Sequence, residues 1–65
     1  MIDDAEMLAR VEEFLAKTGM KPTPFGQAAA REGGLVKSMR RGRSLTIRKA
    51  QQILQFMDQY ERHSS

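Results

Sequence analysis

The first part of the chain carries apolar side chains at helical spacing. Acidic residues crowd the predicted first turn, where they complement the positive end of the helix dipole, and Gly19 follows the last turn as a stop. Glu12 and Glu13 lie on the other side from the apolar stripe. The pattern therefore predicts a first helix over residues 4–18. Its apolar stripe consists of Met7, Leu8, Val11, Phe14 and Leu15.

Prolines and glycines divide the middle of the chain. Thr23 as the N-cap and Pro24 in the first helical position predict a short second helix through Ala29. Gly33 and Gly34 interrupt the pattern after it, and both a turn and a helix start are compatible with them. A third short helix then covers about residues 34–41, with the apolar residues Leu35, Val36 and Met39.

The last part of the chain predicts the longest helix. Either Ser44 or Thr46 caps its start, it runs to about Glu61, and the polar tail, residues 62–65, frays. The apolar residues of its main face are Ile47, Ala50, Ile53, Leu54 and Met57. No strand pattern and no internal repeat are present. The chain is therefore predicted to be a single all-α domain over residues 1–65, a small four-to-five-helix bundle with a long C-terminal helix.

Two aromatic residues of the last helix fall outside its main apolar face. Phe56 and Tyr60 project about 80 to 100° from the centre of that face, so a narrow intramolecular stripe does not use them. A chain of 65 residues without cysteine also has a thin core and no disulfide to support it. We therefore predict a homodimer whose interface contains Ile53, Phe56 and Tyr60.

Neither catalysis nor metal binding is expected from the residues present. The chain has no cysteine, and its one histidine, His63, lies in the polar tail without an orienting partner. A domain of this size has little room for the concave pocket of about 300 Å³ that a small-molecule site needs. No cofactor is expected, and the methionines are interpreted as packing residues.

The chain carries no sign of membrane insertion or export. No apolar run approaches the roughly 20 residues that span a bilayer. The N-terminus is acidic, whereas a signal peptide begins with basic residues. These features predict a cytoplasmic protein without a membrane partner.

Basic residues are concentrated in one segment of the chain. Seven of the eleven lysines and arginines lie in residues 31–49, which sum to a charge of +6, whereas residues 1–16 sum to −4. Clustered ammonium and guanidinium groups beside a turn and a short helix suit a partner with regularly spaced phosphates. Double-stranded DNA is therefore the leading expectation for the partner, with a nucleoid-associated location. The plain alternative is a solvated basic face without a partner.

Two runs in the middle of the chain resemble a known family. Residues 25–29, Phe-Gly-Gln-Ala-Ala, and residues 35–43, Leu-Val-Lys-Ser-Met-Arg-Arg-Gly-Arg, resemble the lambda-repressor-like, or Xre-type, helix-turn-helix family of DNA-binding regulators. Residues 45–50 look like the opening of the family's following helix, and the short phage and proteobacterial members are similar in size. The resemblance implies a sequence-specific transcriptional regulator whose recognition helix, about residues 34–41, enters the major groove.

The chain departs from the family pattern at three glycines. The family usually has alanine where Gly26 stands, although a small residue suits a close crossing of the second and third helices. It usually has serine or threonine near the turn, where this chain has Gly33 and Gly34. These two glycines remove side chains from the N-terminal end of the recognition helix, so base reading shifts further along it.

Side-chain chemistry suggests roles for the residues of this segment. Lys37 and Arg41 lie four apart on one helix face and can donate to guanine acceptors, with Ser38 beside them and Gly34 completing the base-contacting set. The residues predicted to bind backbone phosphate are Thr23, Arg31, Arg40, Arg43, Arg48 and Lys49. Glu32 could accept from a cytosine amino group, repel phosphate or cap the recognition helix, and we favour the cap.

Two other functions fit the same sequence. The basic face of the bundle could dock an acidic protein partner, and Lys37 and Arg41 would then be irrelevant to nucleic-acid affinity. The protein could instead bind DNA non-specifically or bind RNA. The RNA option is weaker, because few exposed aromatic residues lie among the basic ones to stack on bases.

Overall fold

A computed structural model describes residues 3–64, and these residues form four α-helices. The helices are α1 (Asp4–Thr18), α2 (Pro22–Ala30), α3 (Leu35–Arg40) and α4 (Ile47–Ser64). α2 packs against both α3 and α4, and α1 packs against α3. The prediction of an all-α bundle with a long C-terminal helix is confirmed. No helix in this part of the chain is long and apolar enough to cross a membrane.

The buried side chains come from all four helices and form a single core. Five of them, Val11, Phe25, Leu35, Val36 and Ile53, have no exposed surface. Burying one side chain of this kind contributes about 1.5–3 kcal/mol. The remaining core members are Met7, Phe14, Leu15, Met39 and Met57. The three methionines in this list are packing residues, as predicted.

α1 covers the residues predicted for the first helix and is capped at both ends. The Asp3 carboxylate accepts a hydrogen bond from the Glu6 backbone N–H at 2.7 Å, which satisfies one of the amides left open at a helix start. Gly19 has a left-handed backbone, with φ 75°, and its N–H donates to the Leu15 carbonyl at 2.8 Å. Both ends of α1 are therefore set by local signals that the sequence contains.

The start of α2 shows that the prediction of Thr23 as an N-cap is wrong. The helix begins at Pro22, its N-cap is Lys21, and no side chain makes a capping hydrogen bond there. Thr23 lies inside the first turn, between Pro22 and Pro24. Both prolines fit in this turn, because the first N–H groups of a helix have no intrahelical acceptor and a residue without an N–H loses nothing.

α4 begins after Thr46, whose hydroxyl accepts a hydrogen bond from the Lys49 backbone N–H at 3.1 Å. Of the two predicted caps, Thr46 is the one observed. One residue earlier, the Leu45 N–H donates to the Asp4 carboxylate at 3.1 Å. The segment that leads into α4 is therefore tied to the first turn of α1.

The end of α4 corrects the prediction of a frayed tail. The helix continues to Ser64, so residues 62–64 are helical. Arg62 reaches back one turn to the Asp58 carboxylate, with an N–O distance of 3.1 Å, and basic side chains suit the negative end of the helix dipole. Residues 1, 2 and 65 of the predicted domain lie outside the described residues.

The aromatic residues of α4 belong to the chain's own core, so the basis for the predicted dimer interface is wrong. The Phe56 and Tyr60 rings pack edge-on against Phe14, with ring centroids 6.1 and 5.3 Å away, and Phe56 also contacts Phe25 at 5.6 Å. Ile53 is 0% exposed. Because α4 packs against aromatic rings of both α1 and α2, its buried face is wider than one stripe. This face provides no argument for a second copy of the chain.

Candidate nucleic-acid interface

α2 and α3 meet at a glycine, as the sequence predicts. A Cβ atom placed on Gly26 would lie 2.2 Å from the Glu32 carbonyl oxygen and 3.2 Å from the Leu35 Cβ atom. The Glu32 N–H also donates to the Gly26 carbonyl at 3.0 Å. The turn between the two helices therefore runs directly over Gly26, which fixes the position of α3.

α3 has a buried inner face and an exposed outer face. On the inner face, Leu35, Val36 and Met39 are buried in the core. At about 100° per residue, the opposite direction is occupied by Lys37, by the N-cap Gly34 and by the C-cap Arg41. All three are exposed, whereas Ser38 is half-buried at the edge of this outer face. The outer face thus brings together the residues predicted to contact bases, with Ser38 at its margin.

The two cations of the outer face have no acidic partner in residues 3–64. Neither Lys37 nor Arg41 takes part in any of the ion pairs or side-chain hydrogen bonds within that range. Nothing lies within 4 Å of the point where a Cβ atom on Gly34 would stand. The outer face therefore offers two exposed donors next to an open stretch of backbone.

Arg40, one of the predicted phosphate contacts, is bound within the molecule. Its Nε and Nη2 atoms donate to the two carboxylate oxygens of Glu12 at 2.9 and 2.7 Å, a bidentate pair that joins α3 to α1. The hydrogen bond from Arg40 lowers the pKa of Glu12, and the same bond raises the pKa of Arg40. Part of the acidic surface of α1 is therefore used to hold the end of α3.

Glu32 binds two further predicted phosphate contacts, and the prediction that it caps the recognition helix is wrong. Its Oε1 atom accepts from the Lys49 ammonium at 2.7 Å, and its Oε2 atom accepts from the Arg43 guanidinium. Hydrogen bonds from Lys49, and after it from Arg43, lower the pKa of Glu32. Among the described residues, no side chain makes a capping hydrogen bond at the start of α3. The carboxylate turns away from the helix start because the loop and α4 bring two cations within its reach.

The remaining predicted phosphate contacts stay exposed. Thr23, Arg31 and Arg48 are exposed, and neither arginine forms an ion pair in the described part of the chain. Arg31 is the C-cap of α2 and has a left-handed backbone, with φ 55°. This conformation costs a residue with a Cβ atom about 1–2 kcal/mol. The left-handed residue was not predicted, because the neighbouring glycines were the stronger turn signal.

The expectation that the bundle lacks room for a pocket is wrong. An open groove of about 450 Å³ runs between α1 and α4, and its apolar lining residues are Phe14, Leu54 and Met57. Its charged lining includes Lys17 and Glu61, whose N and O atoms are 3.8 Å apart. No residue of α2 or α3 lines it, so this groove is separate from the outer face of α3.

Comparison with known proteins adds no family to this description. No model of a protein family matches the chain, and comparisons with curated proteins and with solved structures give no match either. The resemblance to Xre-type regulators therefore stays a prediction. The geometry of the helices and their charged side chains is what indicates a function.

Proposed function

We propose that this protein binds double-stranded DNA sequence-specifically, as a small transcriptional regulator that places α3 in the major groove. The observation that carries the proposal is the outer face of α3. Lys37 and Arg41 are exposed there without acidic partners within residues 3–64, while the opposite face of the same helix is buried in the core. Substitutions on the exposed face of α3 can change its contacts with a partner molecule without changing how the helix packs in the core.

The dimensions and chemistry of α3 suit this role. A major groove about 12 Å wide admits an α-helix, and the six residues of α3 span about 9 Å along its axis. Lys37 and Arg41 can donate to the O6 and N7 atoms of guanine, which is the commonest specific contact. The open surface at Gly34 allows the backbone to approach the duplex closely. Arg31 and Arg48 are then the cations assigned to backbone phosphates.

The test is selection of bound sequences from a random duplex pool at near-physiological salt, followed by titration of the selected and a scrambled duplex. We expect an enriched motif. Two inverted half-sites about 10 base pairs apart indicate a dimeric complex, and a single half-site indicates a monomer. Binding without enrichment replaces the proposal with non-specific DNA binding. Absence of binding even at low salt overturns it in favour of an acidic protein partner.

Variants of α3 sharpen the test. Lys37→Ala and Arg41→Ala are each expected to weaken binding to the selected duplex by about 10-fold or more, and binding to the scrambled duplex by much less. Lys17→Ala is the control, because it removes one positive charge from the α1 and α4 groove, which no residue of α3 lines. Equal losses for all three variants on both duplexes would contradict base recognition by α3.

A further inference from the structure

Glu32 stands at the junction of three helices. Its backbone N–H donates to the Gly26 carbonyl of α2 at 3.0 Å, and its backbone carbonyl accepts from the Leu35 N–H of α3 at 3.1 Å. These two bonds fix the main chain of Glu32. Hydrogen bonds from Lys49 of α4 and from Arg43 of the loop before α4 then hold the Glu32 carboxylate.

The carboxylate and its partners are partly withdrawn from water. The Glu32 side chain is 27% exposed, that of Lys49 is 29% exposed, and that of Arg43 is 43% exposed. Glu32 is also the one acidic residue between positions 31 and 49. The Glu32 carboxylate thus forms ion pairs with two of the seven cations in the most basic segment of the chain.

We propose that Glu32 acts as an internal competitor of DNA phosphate, which withholds Arg43 and Lys49 from the duplex and so limits affinity for DNA of any sequence. The inference rests on the proposed function. A phosphate that approaches either cation competes with the carboxylate for the same positive charge, so a contact there gains less than a contact with an unpaired cation. Glu32 is a positioning residue, since it acts on DNA only through Arg43 and Lys49.

The competition by Glu32 affects only the part of the DNA affinity that comes from phosphate contacts. Contacts to phosphate add affinity for every sequence and make binding salt-dependent, whereas base contacts discriminate between sequences. A cation that is already paired releases few counterions from DNA. Removing the competitor therefore strengthens binding to selected and scrambled duplexes alike, and the ratio of the two affinities stays constant.

The experiment compares Glu32→Gln with the natural chain and with Glu13→Gln. The control changes the net charge equally, but Glu13 is exposed and forms no ion pair in residues 3–64. The readout is the salt slope, the change in the logarithm of the association constant with the logarithm of salt concentration. For Glu32→Gln we expect a slope steeper by about 2 and tighter binding to both duplexes. Glu13→Gln keeps the slope of the natural chain.

Two adjacent cations provide a second test, whose first comparison is made in the natural chain and does not depend on the folding of Glu32→Gln. Arg48 is unpaired in the described part of the chain and Lys49 is bound to Glu32. We expect Arg48→Met to lower the magnitude of the salt slope by about 1, and Lys49→Met to leave it unchanged. In the Glu32→Gln background, Lys49→Met should lower it as Arg48→Met does.

The outcomes separate the two proposals. If the natural chain binds DNA but Lys49→Met and Arg48→Met reduce its slope equally, Lys49 already contacts phosphate and the role of Glu32 is overturned. Weaker binding by folded Glu32→Gln also overturns it, because the ion pairs then only support the structure. If neither the natural chain nor Glu32→Gln binds any duplex at low salt, DNA binding itself is overturned.

Discussion

The inner and outer faces of α3 belong to the same short helix and have opposite properties. On the inner face, Leu35 and Val36 are 0% exposed and fill the core. On the outer face, Lys37 and Arg41 are exposed and touch no acidic group in residues 3–64. The residues that stabilise the fold and those of the proposed recognition surface therefore lie on opposite sides of one helix. Substitutions on the outer face should therefore leave the packing of the inner face unchanged.

Leu35→Ala should have the largest effect on the packing of the inner face of α3. Loss of a fully buried leucine side chain is expected to lower the free energy of unfolding by about 3 kcal/mol. A domain of this size has about 3–5 kcal/mol in total, so the midpoint of thermal unfolding in far-ultraviolet circular dichroism should fall by about 12–24 °C. Lys37→Ala on the outer face should change stability by less than about 0.5 kcal/mol. A well-folded Leu35→Ala protein with the stability of the natural chain would contradict the described core.

Two glycines test how α3 is seated on α2, since Gly26 lies inside α2 below the turn and Gly34 lies at the start of α3. Gly26→Ala brings a Cβ atom to 2.2 Å from a backbone carbonyl oxygen, which neither helix can avoid without moving. We expect a loss of about 2 kcal/mol in urea unfolding. Gly34→Ala meets nothing within 4 Å and should stay within about 0.5 kcal/mol of the natural chain. Equal losses for both would show that α3 is not seated on α2 as described.

The ion pairs along the border of α3 should weaken in acid. Glu12 and Glu32 have pKa values below their usual 4.5, because Arg40 in the first case and Lys49 with Arg43 in the second hydrogen-bond to them. A carboxyl with a lowered pKa stabilises the fold above about pH 4.5 and loses this contribution as the pH falls through its folded-state pKa. The urea midpoint should therefore drop between pH 5 and pH 3 by an amount smaller than the core effects.

Variants identify the groups responsible for that drop. The double variant Glu12→Gln and Glu32→Gln should be less stable at pH 7 and lose less stability on acidification. Glu13→Gln, which removes a carboxylate without an ion pair in residues 3–64, should keep the full pH dependence. An unchanged acid response in the double variant would assign it to other carboxyl groups.

Arg31→Gly should give the smallest effect on stability, and in the favourable direction. The left-handed backbone costs an arginine about 1–2 kcal/mol, whereas the extra freedom of glycine in the unfolded chain costs about 0.5–1 kcal/mol. The net gain should be about 0.5–1 kcal/mol in urea unfolding. Under the proposed function, the same change lowers the magnitude of the salt slope for DNA by about 1, because one phosphate contact is lost. Gain in stability together with unchanged DNA binding would show that Arg31 does not touch DNA.

Local signals explain which parts of the fold were predictable. The bounds of α1 follow from an apolar stripe and from residues adjacent to its ends, such as Asp3 and Gly19. Gly26 was correctly placed at a close helix crossing, because only a small residue suits such a contact. In contrast, Phe56 was misinterpreted as surplus, since the width of a buried helix face depends on how many neighbours pack against it.

The ion pairs around α3 could not be predicted from the sequence, because they too depend on how the helices pack together. Glu12 and Arg40 are 28 positions apart, and Glu32 and Lys49 are 17 apart, so no periodicity within a helix relates them. The count of charged residues locates the basic segment, but it does not show which cations of that segment are already paired. The outer face of α3 was predictable, because Lys37 and Arg41 are one helical turn apart and the apolar residues Leu35, Val36 and Met39 define the opposite side.

The hydrogen bond between Leu45 and Asp4 has a consequence for the order of folding. It joins residues 41 positions apart, whereas α2 and α3 follow each other through a short turn. Closing a long loop costs more chain entropy than closing a short one, so contacts between neighbouring helices can form before this one. A contact made late in folding is also among the first lost in unfolding, and its removal mainly speeds unfolding. The chain around Leu45 is therefore expected to be tied to α1 only after much of the bundle has assembled, whereas Arg43 is held locally by its N–H bond to the Ser38 carbonyl at 3.0 Å.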